Sequence, residues 1–267
     1  MNLFKLSTWN INSIRFRINT VKSFLEIYQP DILCLQEIKC QNNQFPEQIF
    51  KKMGYRHFAI HGQKAYNGVA IVSKHPLFKI ESTNYCNMND SRHLECQLNI
   101  GLTKLRIHNF YVPAGGEDPD IEKNPKFDYK LKFLEEMKSL SHDDDGVPSI
   151  LVGDLNIAPL ETDVWSHKQL LTVVSHTQVE TNMLADIQVQ GGWIDLIRQR
   201  IPPEEKLFTW WSYRSYNWNK TNKGRRLDHI WSSESLAKKL DDLIVFRDAR
   251  GWEQPSDHVP VIALFKI

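Results

Sequence analysis

Short apolar runs alternate with amphipathic stretches along the 267-residue chain, and this pattern predicts interleaved strands and helices. Strand-like apolar runs lie at Leu3–Trp9 and Asp31–Gln36. Between them, Thr20–Tyr28 has apolar residues at helical spacing, and Pro30 ends the predicted helix. A second helix is predicted at Phe45–Met53, directly before a glycine, a residue that often follows a helix end.

The middle of the chain carries consecutive strand patterns with no helix between them. Turn residues separate these runs, an arrangement that favours antiparallel pairing of neighbouring strands. The predicted strands are Gly68–Ser73, Phe78–Tyr85, Leu94–Ile100 and Leu105–Tyr111.

The second half returns to a mixed pattern. Phe127–Leu140 predicts an amphipathic helix, His142–Gly146 an acidic turn, and Leu160–Gln190 a mostly helical stretch. We find no repeat, low-complexity tract or linker, so we expect one α/β domain over residues 1–267, built from two packed mixed β-sheets with helices outside. The remaining predicted strands are Ser149–Val152, Leu207–Trp211, Asp228–Trp231, Leu243–Arg247 and Val259–Phe265.

Composition narrows the class of protein. Hydrophobic residues make up 41% of the chain, enough for a large core. No segment reaches the roughly 18–20 apolar residues of a membrane span, and Met1–Ser7 is too short and too polar for a secretory signal. The cysteines form no C-x-x-C pair, so zinc and redox motifs are not supported. These features predict a cytoplasmic protein, not inserted in a membrane, with reduced thiols at Cys34, Cys40, Cys86 and Cys96.

Charge is informative only locally. The net charge is +1, from 33 basic and 32 acidic residues. The segment Arg198–Arg226, however, holds eight basic and only two acidic residues, interleaved with tryptophans and tyrosines. A basic loop with aromatic platforms is typical of nucleic-acid surfaces. A solvated loop with half-buried aromatic side chains fits the same composition equally well.

Polar residues suited to chemistry stand directly beside the apolar strands, where loops project side chains from a sheet edge. Each one alone has an ordinary interpretation: Glu37 could form a surface salt bridge with Lys39, and Gly-Asp-x-Asn is also a turn signature. His229 follows Asp228 and points to the opposite strand face, so we interpret it as structural. The residues at strand ends are Asn10, Asn12, Glu37, Tyr111, Asp154, Asn156, Asp228, Asp257 and His258.

Eight segments, in this order and spacing, resemble the exonuclease III family of abasic-site endonucleases, within the endonuclease/exonuclease/phosphatase superfamily. G-D-x-N and S-D-H-x-P occur throughout that superfamily, whereas L-Q-E-x-K followed by W-x-x-Y-R and R-L-D is more specific to its DNA-repair branch. The resemblance covers nearly the whole chain and implies a DNase I-like four-layer α/β sandwich. The segments are TWNIN (Thr8–Asn12), LQEIK (Leu35–Lys39), NGVAI (Asn67–Ile71), NFYVPAG (Asn109–Gly115), GDLNIAP (Gly153–Pro159), TWWSYRS (Thr209–Ser215), GRRLDHIW (Gly224–Trp231) and SDHVP (Ser256–Pro260).

The resemblance implies a Mg²⁺-dependent phosphodiesterase, with Mn²⁺ as the alternative metal. Its implied metal ligands are Glu37, Asn10, Asn12 and Asp257. It also implies five catalytic groups. Asp154 orients or deprotonates the attacking water, and Asn156 and His258 bind the phosphate. Asp228 holds the His258 imidazole, and Tyr111 acts as a hydrogen-bond donor or as a phenolate. Its implied DNA and phosphate contacts are Lys39, Asn67, Arg92, Trp210, Trp211, Arg214, Arg225 and Arg226.

Three positions depart from the family pattern. Arg225 stands where an apolar Trp, Leu or Ile usually lines the pocket for a flipped-out, base-less sugar, so we expect it to narrow that pocket or add a phosphate contact. Ala114 replaces an amide that reaches a backbone phosphate, and Ile38 replaces a threonine. None of the three removes an implied catalytic residue.

The implied function is base excision repair: incision 5′ to abasic sites to leave a 3′-hydroxyl, with 3′–5′ exonuclease and 3′-phosphatase or phosphodiesterase activity. The expected partner is duplex DNA with abasic sites or blocked 3′ ends, bound by a monomer without an obligatory protein partner. One alternative is a 3′–5′ exonuclease with weak abasic-site preference. Others are a related phosphodiesterase with a non-DNA substrate, and a non-catalytic DNA-binding module.

Overall fold

The computed structural model describes residues 3–141 and 145–267, so the predicted acidic turn His142–Gly146 lies partly outside the described residues. The strands are β1 (Leu3–Asn10), β2 (Ile32–Gln36), β3 (His57–His61), β4 (Val69–Ser73), β5 (Phe78–Glu81), β6 (His93–Ile100), β7 (Thr103–Tyr111), β8 (Ser149–Asp154), β9 (Ile194–Asp195), β10 (Trp210–Trp211), β11 (Gly224–Arg225), β12 (Asp228–Ser232), β13 (Leu240–Val245) and β14 (Val261–Lys266). The helices are α1 (Ile18–Tyr28), α2 (Glu47–Lys52), α3 (Pro125–Met137), α4 (His167–Leu170), α5 (Gln178–Gln190), α6 (Leu196–Arg200), α7 (Trp218–Thr221) and α8 (Glu234–Ala237).

The strands form two mixed six-stranded sheets and a small two-stranded ribbon. The first sheet has the order β13-β14-β1-β2-β4-β3, and the second has the order β5-β6-β7-β8-β12-β9. Each sheet contains one parallel pair, β1 with β2 and β7 with β8. The predicted antiparallel pairing in the middle of the chain is confirmed for β5, β6 and β7. The ribbon consists of β10 and β11.

Alternating side chains place the main core between the two sheets. On β2, Ile32 and Cys34 pack against residues of the second sheet such as Ile150, whereas Leu33 and Leu35 pack on the opposite face. This period of two is what a pleated strand imposes, and both faces are apolar because both are covered. The second core thus lies outside the first sheet.

Helices cover the outer faces of both sheets. The amphipathic helix α1 buries Phe24 in the core outside the first sheet, and α3 and α5 bury Phe133 and Leu184 outside the second. Helix α5 begins with a capping box in which Thr177 and Glu180 bond to each other's backbone N–H. The predicted four-layer α/β sandwich is therefore confirmed.

The prediction that Leu160–Gln190 is mostly helical is confirmed by a 3₁₀ turn at Glu161–Asp163 and by α4 and α5, although residues 171–177 form an irregular loop in which Ser175 has φ +86°. The predicted strand Phe78–Tyr85 shortens to β5, and Tyr85 begins a 3₁₀ turn. The predicted strand Leu207–Trp211 shortens to β10, because successive residues of this extended segment bond to different partners: Leu207 to Thr162 and Thr209 to Arg225.

The cysteines carry no disulfide, and Cys34, Cys40 and Cys96 are buried while Cys86 is half-buried. Along residues 3–141 and 145–267, we find no helix with the length and apolar character that crossing a membrane requires.

Candidate active site

The topology brings the strand-end residues to one edge of the sandwich. The parallel pairs β1–β2 and β7–β8 end at this edge, and β12 and β14, which run antiparallel to β8 and β1, begin there. Asp154 and Asp228 are direct partners across β8 and β12. A cleft of about 930 Å³ opens at this edge, and the predicted residues that line it include Glu37, Tyr111, Asp154, Asn156, Asp257 and His258.

Asn10 joins the two sheets at the floor of the cleft. Its side chain is fully buried, and its Nδ2 donates to Glu37 Oε1 and to Asp154 Oδ2, both at 2.8 Å. Glu37 follows the first sheet and Asp154 ends a strand of the second, so one amide fixes carboxylates from both sheets. The side chain of Ser256 donates to the carbonyl of Asn10 at 2.7 Å and ties the segment before β14 to the same point.

Backbone strain concentrates at this edge. Asn12, Glu37 and Asn156 are non-glycine residues with φ of 47°, 49° and 54°, in the left-handed region. Such conformations cost free energy and persist where surrounding contacts impose them, commonly at functional sites. At Asn156 the imposing contacts are visible: its N–H donates to Asp154 Oδ1 at 2.9 Å and its Nδ2 donates to the Val112 carbonyl at 2.8 Å.

His258 lies between two buried carboxylates. Its Nδ1 is 2.8 Å from Asp228 Oδ2, and its Nε2 is 3.6 Å from Asp154 Oδ2. Thr209 donates its hydroxyl to the same Asp228 oxygen at 2.6 Å. Burial disfavours the imidazolium, but the charges of Asp228 and Asp154 outweigh it and raise the pKa of His258 to about 10. The imidazole therefore carries a proton at neutral pH.

Burial raises the pKa of two acidic groups at the site, the Asp154 carboxyl and the Tyr111 phenol. It raises the pKa of Asp154 to about 7, with Asp228 and Glu37 adding to the rise and His258 and Asn10 opposing it. Burial, followed by the charges of Glu37 and Asp154, raises the pKa of Tyr111 well above its usual value. Tyr111 is thus a neutral phenol at neutral pH, able to donate a hydrogen bond.

Glu37 and Asp257 provide carboxylate oxygens in the cleft. Glu37 Oε2 lies 2.7 Å from Lys39 Nζ, which also donates to Asn12 Oδ1 at 2.6 Å. Asp257 accepts from Asn12 Nδ2 at 3.0 Å and from Trp210 Nε1 at 2.9 Å. The ordinary interpretation of Glu37, a salt bridge with Lys39, therefore describes a real contact, but one placed in the cleft and not on an open surface.

This donor set fits a hard divalent cation. Carboxylate and amide oxygens are the ligands that Mg²⁺ takes in proteins, usually one or two carboxylates with water completing the shell. A second group, Asp154, Asp228 and His258, also brings three ligand atoms within 4.8 Å of one another. In this second group His258 Nδ1 and the Thr209 hydroxyl both bond to the same Asp228 oxygen. The donor chemistry favours the side of the cleft at Glu37.

Five of the eight predicted DNA contacts lie in the cleft or next to residues that line it. Trp210, Arg214 and Arg225 line the cleft, and Lys39 stands beside Glu37. Arg92 lies behind the site with its guanidinium 4.8 Å from the Tyr111 ring centre, and it pairs with Asp90.

The structure places three of the predicted contact residues inside the protein. Trp211 is 1% exposed, and its Nε1 donates to Asn222 Oδ1 at 3.0 Å. Arg226 is 0% exposed and binds Asp163 and Asp195 carboxylates, each at 2.7 Å. Asn67 is buried, with its amide bonded to the Asp90 carbonyl at 2.9 Å. His229 is buried against the Ile157 carbonyl, which agrees with a structural role.

The cleft wall includes residues that the sequence did not single out: Trp165, Val174, Ser175 and Leu227. Arg225 crosses to this wall, because its Nη1 donates to the Val174 carbonyl at 2.9 Å and to Ser175 Oγ at 2.6 Å. The Arg225 guanidinium also lies 5.4 Å from the Trp210 ring centre. Trp165 and Ser175 were missed because they fall in the stretch predicted to be helical.

Comparisons with known proteins show which family this chain belongs to. Residues 7–258 match the model of the Endonuclease/Exonuclease/phosphatase family. Exodeoxyribonuclease III of Haemophilus influenzae is 31% identical, over 98% of this chain and 100% of that protein. Among solved structures, an AP endonuclease from Archaeoglobus fulgidus has a TM-score of 0.87, and a 3′–5′ exonuclease from Neisseria meningitidis has a TM-score of 0.89. Each of these two is 31% identical over 99% of this chain and 100% of the matched chain.

Proposed function

Since this chain belongs to the endonuclease/exonuclease/phosphatase family, and within it to the exodeoxyribonuclease III group of metal-dependent hydrolases, we propose that it is a DNA-repair nuclease that hydrolyses the phosphodiester 5′ to an abasic site. The product keeps a 3′-hydroxyl. The same hydrolysis at a terminal phosphate gives 3′–5′ exonuclease and 3′-phosphatase activity. All the proposed reacting groups come from one chain, so a monomer can carry out the reaction.

One observation carries this proposal: the cleft holds a protonated imidazole and a carboxylate of raised pKa side by side, with further carboxylates lining the same cleft. His258 Nε2 and Asp154 Oδ2 are 3.6 Å apart, and Asn10 links Asp154 to Glu37. A phosphodiester needs positive charge for its oxygens and a base for the attacking water. This arrangement supplies both.

Each residue has a proposed part in the reaction. Asp154 accepts a hydrogen bond from the attacking water and takes its proton, because a base with a pKa near 7 is well matched to neutral pH. His258 donates from Nε2 to a non-bridging phosphate oxygen, while Asp228 holds Nδ1 and fixes the ring. Asn156 and the neutral Tyr111 donate further hydrogen bonds to the phosphate as its negative charge grows.

Glu37 and Asp257 are the proposed metal ligands, assisted by Asn10 and Asn12. When bound there, Mg²⁺, or Mn²⁺ in its place, supplies Lewis-acid stabilisation of charge on the phosphate and the leaving oxygen. A metal bound there would compete with Lys39 for Glu37, and the Lys39 ammonium would then contact a neighbouring DNA phosphate.

Duplex DNA is the proposed partner. Arg214 has a side chain that is 90% exposed at the mouth of the cleft, where a backbone phosphate can reach it. Trp210 and Trp165 offer aromatic surface in the cleft, whereas Trp211 is buried. An abasic nucleotide leaves the duplex at lower cost than an intact one, which favours it as the group that enters a cleft beside the reacting phosphate.

A second candidate is a 3′–5′ exonuclease with weak abasic-site preference. Its support is the position of Arg225, which bridges to Val174 and Ser175 and occupies part of the cleft beside Trp210. A narrowed cleft admits an internal sugar less readily, whereas a frayed 3′ end needs less room.

The test compares three duplexes with Mg²⁺ or with EDTA: one with a central tetrahydrofuran analogue of an abasic site, one intact, and one with a recessed 3′ end. The expected result is rapid, metal-dependent incision 5′ to the analogue. Digestion from the 3′ end with little response to the analogue supports the second candidate. A protein that leaves all three duplexes uncut contradicts both.

A further inference from the structure

Behind the cleft, outside the proposed catalytic and metal-binding residues, a lysine and a glutamate form a fully buried ion pair. Lys130 Nζ of α3 and Glu180 Oε1 of α5 are 2.5 Å apart, and both side chains are 0% exposed. Removing two charges from water is costly, and an apolar pair of similar volume often serves stability as well or better. The other contacts of the pair point to a different role.

The lysine ammonium holds two loops that line the cleft. Lys130 Nζ donates to the carbonyl of Asn156 at 2.8 Å and to that of Ala114 at 3.4 Å. Both residues line the cleft, and Asn156 is a proposed phosphate contact. The lysine stem also fits closely beside Gly115, where a Cβ atom would lie 2.8 Å from Lys130 Cδ.

The glutamate holds the third loop. Glu180 accepts hydrogen bonds from the Ser175 N–H, at 3.0 and 2.9 Å, from the Thr177 N–H at 3.2 Å, and from the Thr177 hydroxyl at 2.6 Å. Arg225 donates hydrogen bonds to two residues of this loop, Val174 and Ser175. The carboxylate thus fixes the wall of the cleft from behind.

We propose that Lys130 and Glu180 are positioning residues that lock the three cleft loops, at 114–115, 156 and 173–177, into one geometry for phosphodiester hydrolysis. This inference rests on the proposed nuclease activity. An ammonium is needed because two carbonyls on different loops require one donor that reaches both, and a carboxylate is needed because it accepts from successive N–H groups. A shift of about 1 Å in a reacting group can slow catalysis about 100-fold.

The test uses Glu180→Gln, which removes the charge and keeps the shape, and the neutral pair Lys130→Met with Glu180→Gln. Rates of single-turnover incision at the tetrahydrofuran site are measured with Mg²⁺, well below each melting temperature and per folded molecule. We expect both variants to cut about tenfold more slowly or worse, with the Kd for the duplex changed less than about twofold. The matched control is Glu95→Gln, which removes the charge from a half-buried partner of Arg106 and should cut like the parent.

A second measurement separates positioning from simple stabilisation. If the pair acts through Asn156, then Glu180→Gln added to Asn156→Ala should slow incision by less than about twofold, far less than in the parent. Equal rates per folded molecule in the parent and Glu180→Gln overturn the proposal, whether or not the double variant folds. A parent that leaves the duplex uncut contradicts the proposed nuclease function instead, and amide hydrogen exchange at 173–177 in Glu180→Gln then still reports whether the pair fixes this loop.

Discussion

Asp154 and Glu37 share one amide donor, Asn10, yet we expect neutralising substitutions at the two residues to affect incision differently. Asp154→Asn removes the proposed base and should slow incision by about 10²–10⁴-fold at saturating Mg²⁺. Glu37→Gln removes a proposed metal ligand, so its loss should be partly reversed by raising the Mg²⁺ concentration. Metal titrations of the incision rate on the tetrahydrofuran duplex distinguish the two.

Neither substitution changes the exposed basic surface, so duplex affinity measured in EDTA should remain within about threefold of the parent. Glu47→Gln, which neutralises an exposed partner of Lys51 on α2, serves as the control and should retain full activity. Normal cleavage by both Asp154→Asn and Glu37→Gln would show that the site lies elsewhere.

We propose that Arg225 sets the balance between endonuclease and exonuclease activity. Arg225→Leu removes the link from the ribbon to Val174 and Ser175 and returns an apolar side chain beside Trp210. We expect the ratio of abasic-site incision to 3′-end digestion to rise, by about tenfold, because a change in pocket shape alters selectivity on this scale. Parallel time courses on the two duplexes measure the ratio.

Arg200→Leu is the control for lost positive charge, because Arg200 is exposed on α6 and pairs with Asp242. If the ratio of abasic-site incision to 3′-end digestion is the same in Arg225→Leu as in the parent, Arg225 does not limit entry to the cleft.

At the scale of elements, the site depends on how closely β7 and β8 approach each other. Gly153 precedes Asp154 with φ +139°, and a Cβ atom there would lie 1.9 Å from the Phe110 carbonyl oxygen. Gly153→Ala must therefore separate two paired strands or distort the peptide that carries Asp154. We expect a loss of about 3 kcal/mol in the free energy of unfolding, together with lower activity per folded molecule. Denaturant titration and single-turnover kinetics measure the two effects.

Gly101→Ala is a matched control for this glycine. Gly101 also has a left-handed φ, of +57°, at the β6–β7 turn, but no atom lies within 4 Å of a Cβ placed there. Its cost should be only about 1 kcal/mol of backbone strain, with activity unchanged. Similar losses in the two variants would mean that the close contact with Phe110 is unimportant.

Elements with a strong apolar pattern were predictable from sequence, and those defined by tertiary contacts were not. The pattern of β2 is apolar on both faces, and Glu37, directly after this strand, lines the cleft. β3, His57–His61, was missed because only its central residue is buried. The loop 171–177 fell inside a stretch predicted to be mostly helical, because the start of α5 at the capping box of Thr177 and Glu180 was not recognised in the sequence.

The burial of Trp211 and Arg226, two of the predicted DNA contacts, has one geometric cause. Trp210 and Arg225 pair across the β10–β11 ribbon, and both line the cleft. Their neighbours Trp211 and Arg226 must then point the opposite way, since side chains alternate along a strand. The sequence had shown basic and aromatic residues side by side, but the ribbon that sorts them into two faces is only two residues long and has no signature of its own. The proposed catalytic role of each residue came from the family resemblance. The fold, in contrast, shows which of these side chains lie next to one another.

At the scale of the whole molecule, the cleft is assembled from both sheets, so its geometry and the global fold are coupled. Asn10 and His258 belong to the first sheet and its flanking segment, whereas Asp154 and Asp228 belong to the second. Any separation of the layers breaks the Asn10–Asp154 and His258–Asp228 contacts together. Activity should therefore be lost in the same cooperative transition as the sandwich itself.

Acid should trigger that transition through histidines buried in the neutral form. Burial lowers the pKa of His93 to about 3 and that of His229 to about 4, and it also depresses the pKa of His108. The unfolded chain has ordinary values near 6.5, so below pH 6.5 it binds protons that the folded protein does not. The contribution of these histidines to the free energy of unfolding must then fall as the pH decreases from 6.5 toward 4, by about 2 kcal/mol at pH 5 for a group such as His93, and protonation of Asp154, whose pKa is raised to about 7, opposes part of this loss.

Part of this predicted dependence of the unfolding free energy on pH can be assigned to one residue, His93. His93→Gln removes a group that takes up a proton on unfolding, so the decrease in unfolding free energy between pH 6 and pH 5 should shrink by about 1 kcal/mol relative to the parent. The substitution also disturbs the contact with His108, so the parent and the variant are compared by slope and not by absolute stability. Urea titrations at half-unit pH intervals provide the slopes. Parallel curves for the two proteins would mean that His93 is already protonated in the fold, which its packing between Tyr85, His108 and Phe110 strongly opposes.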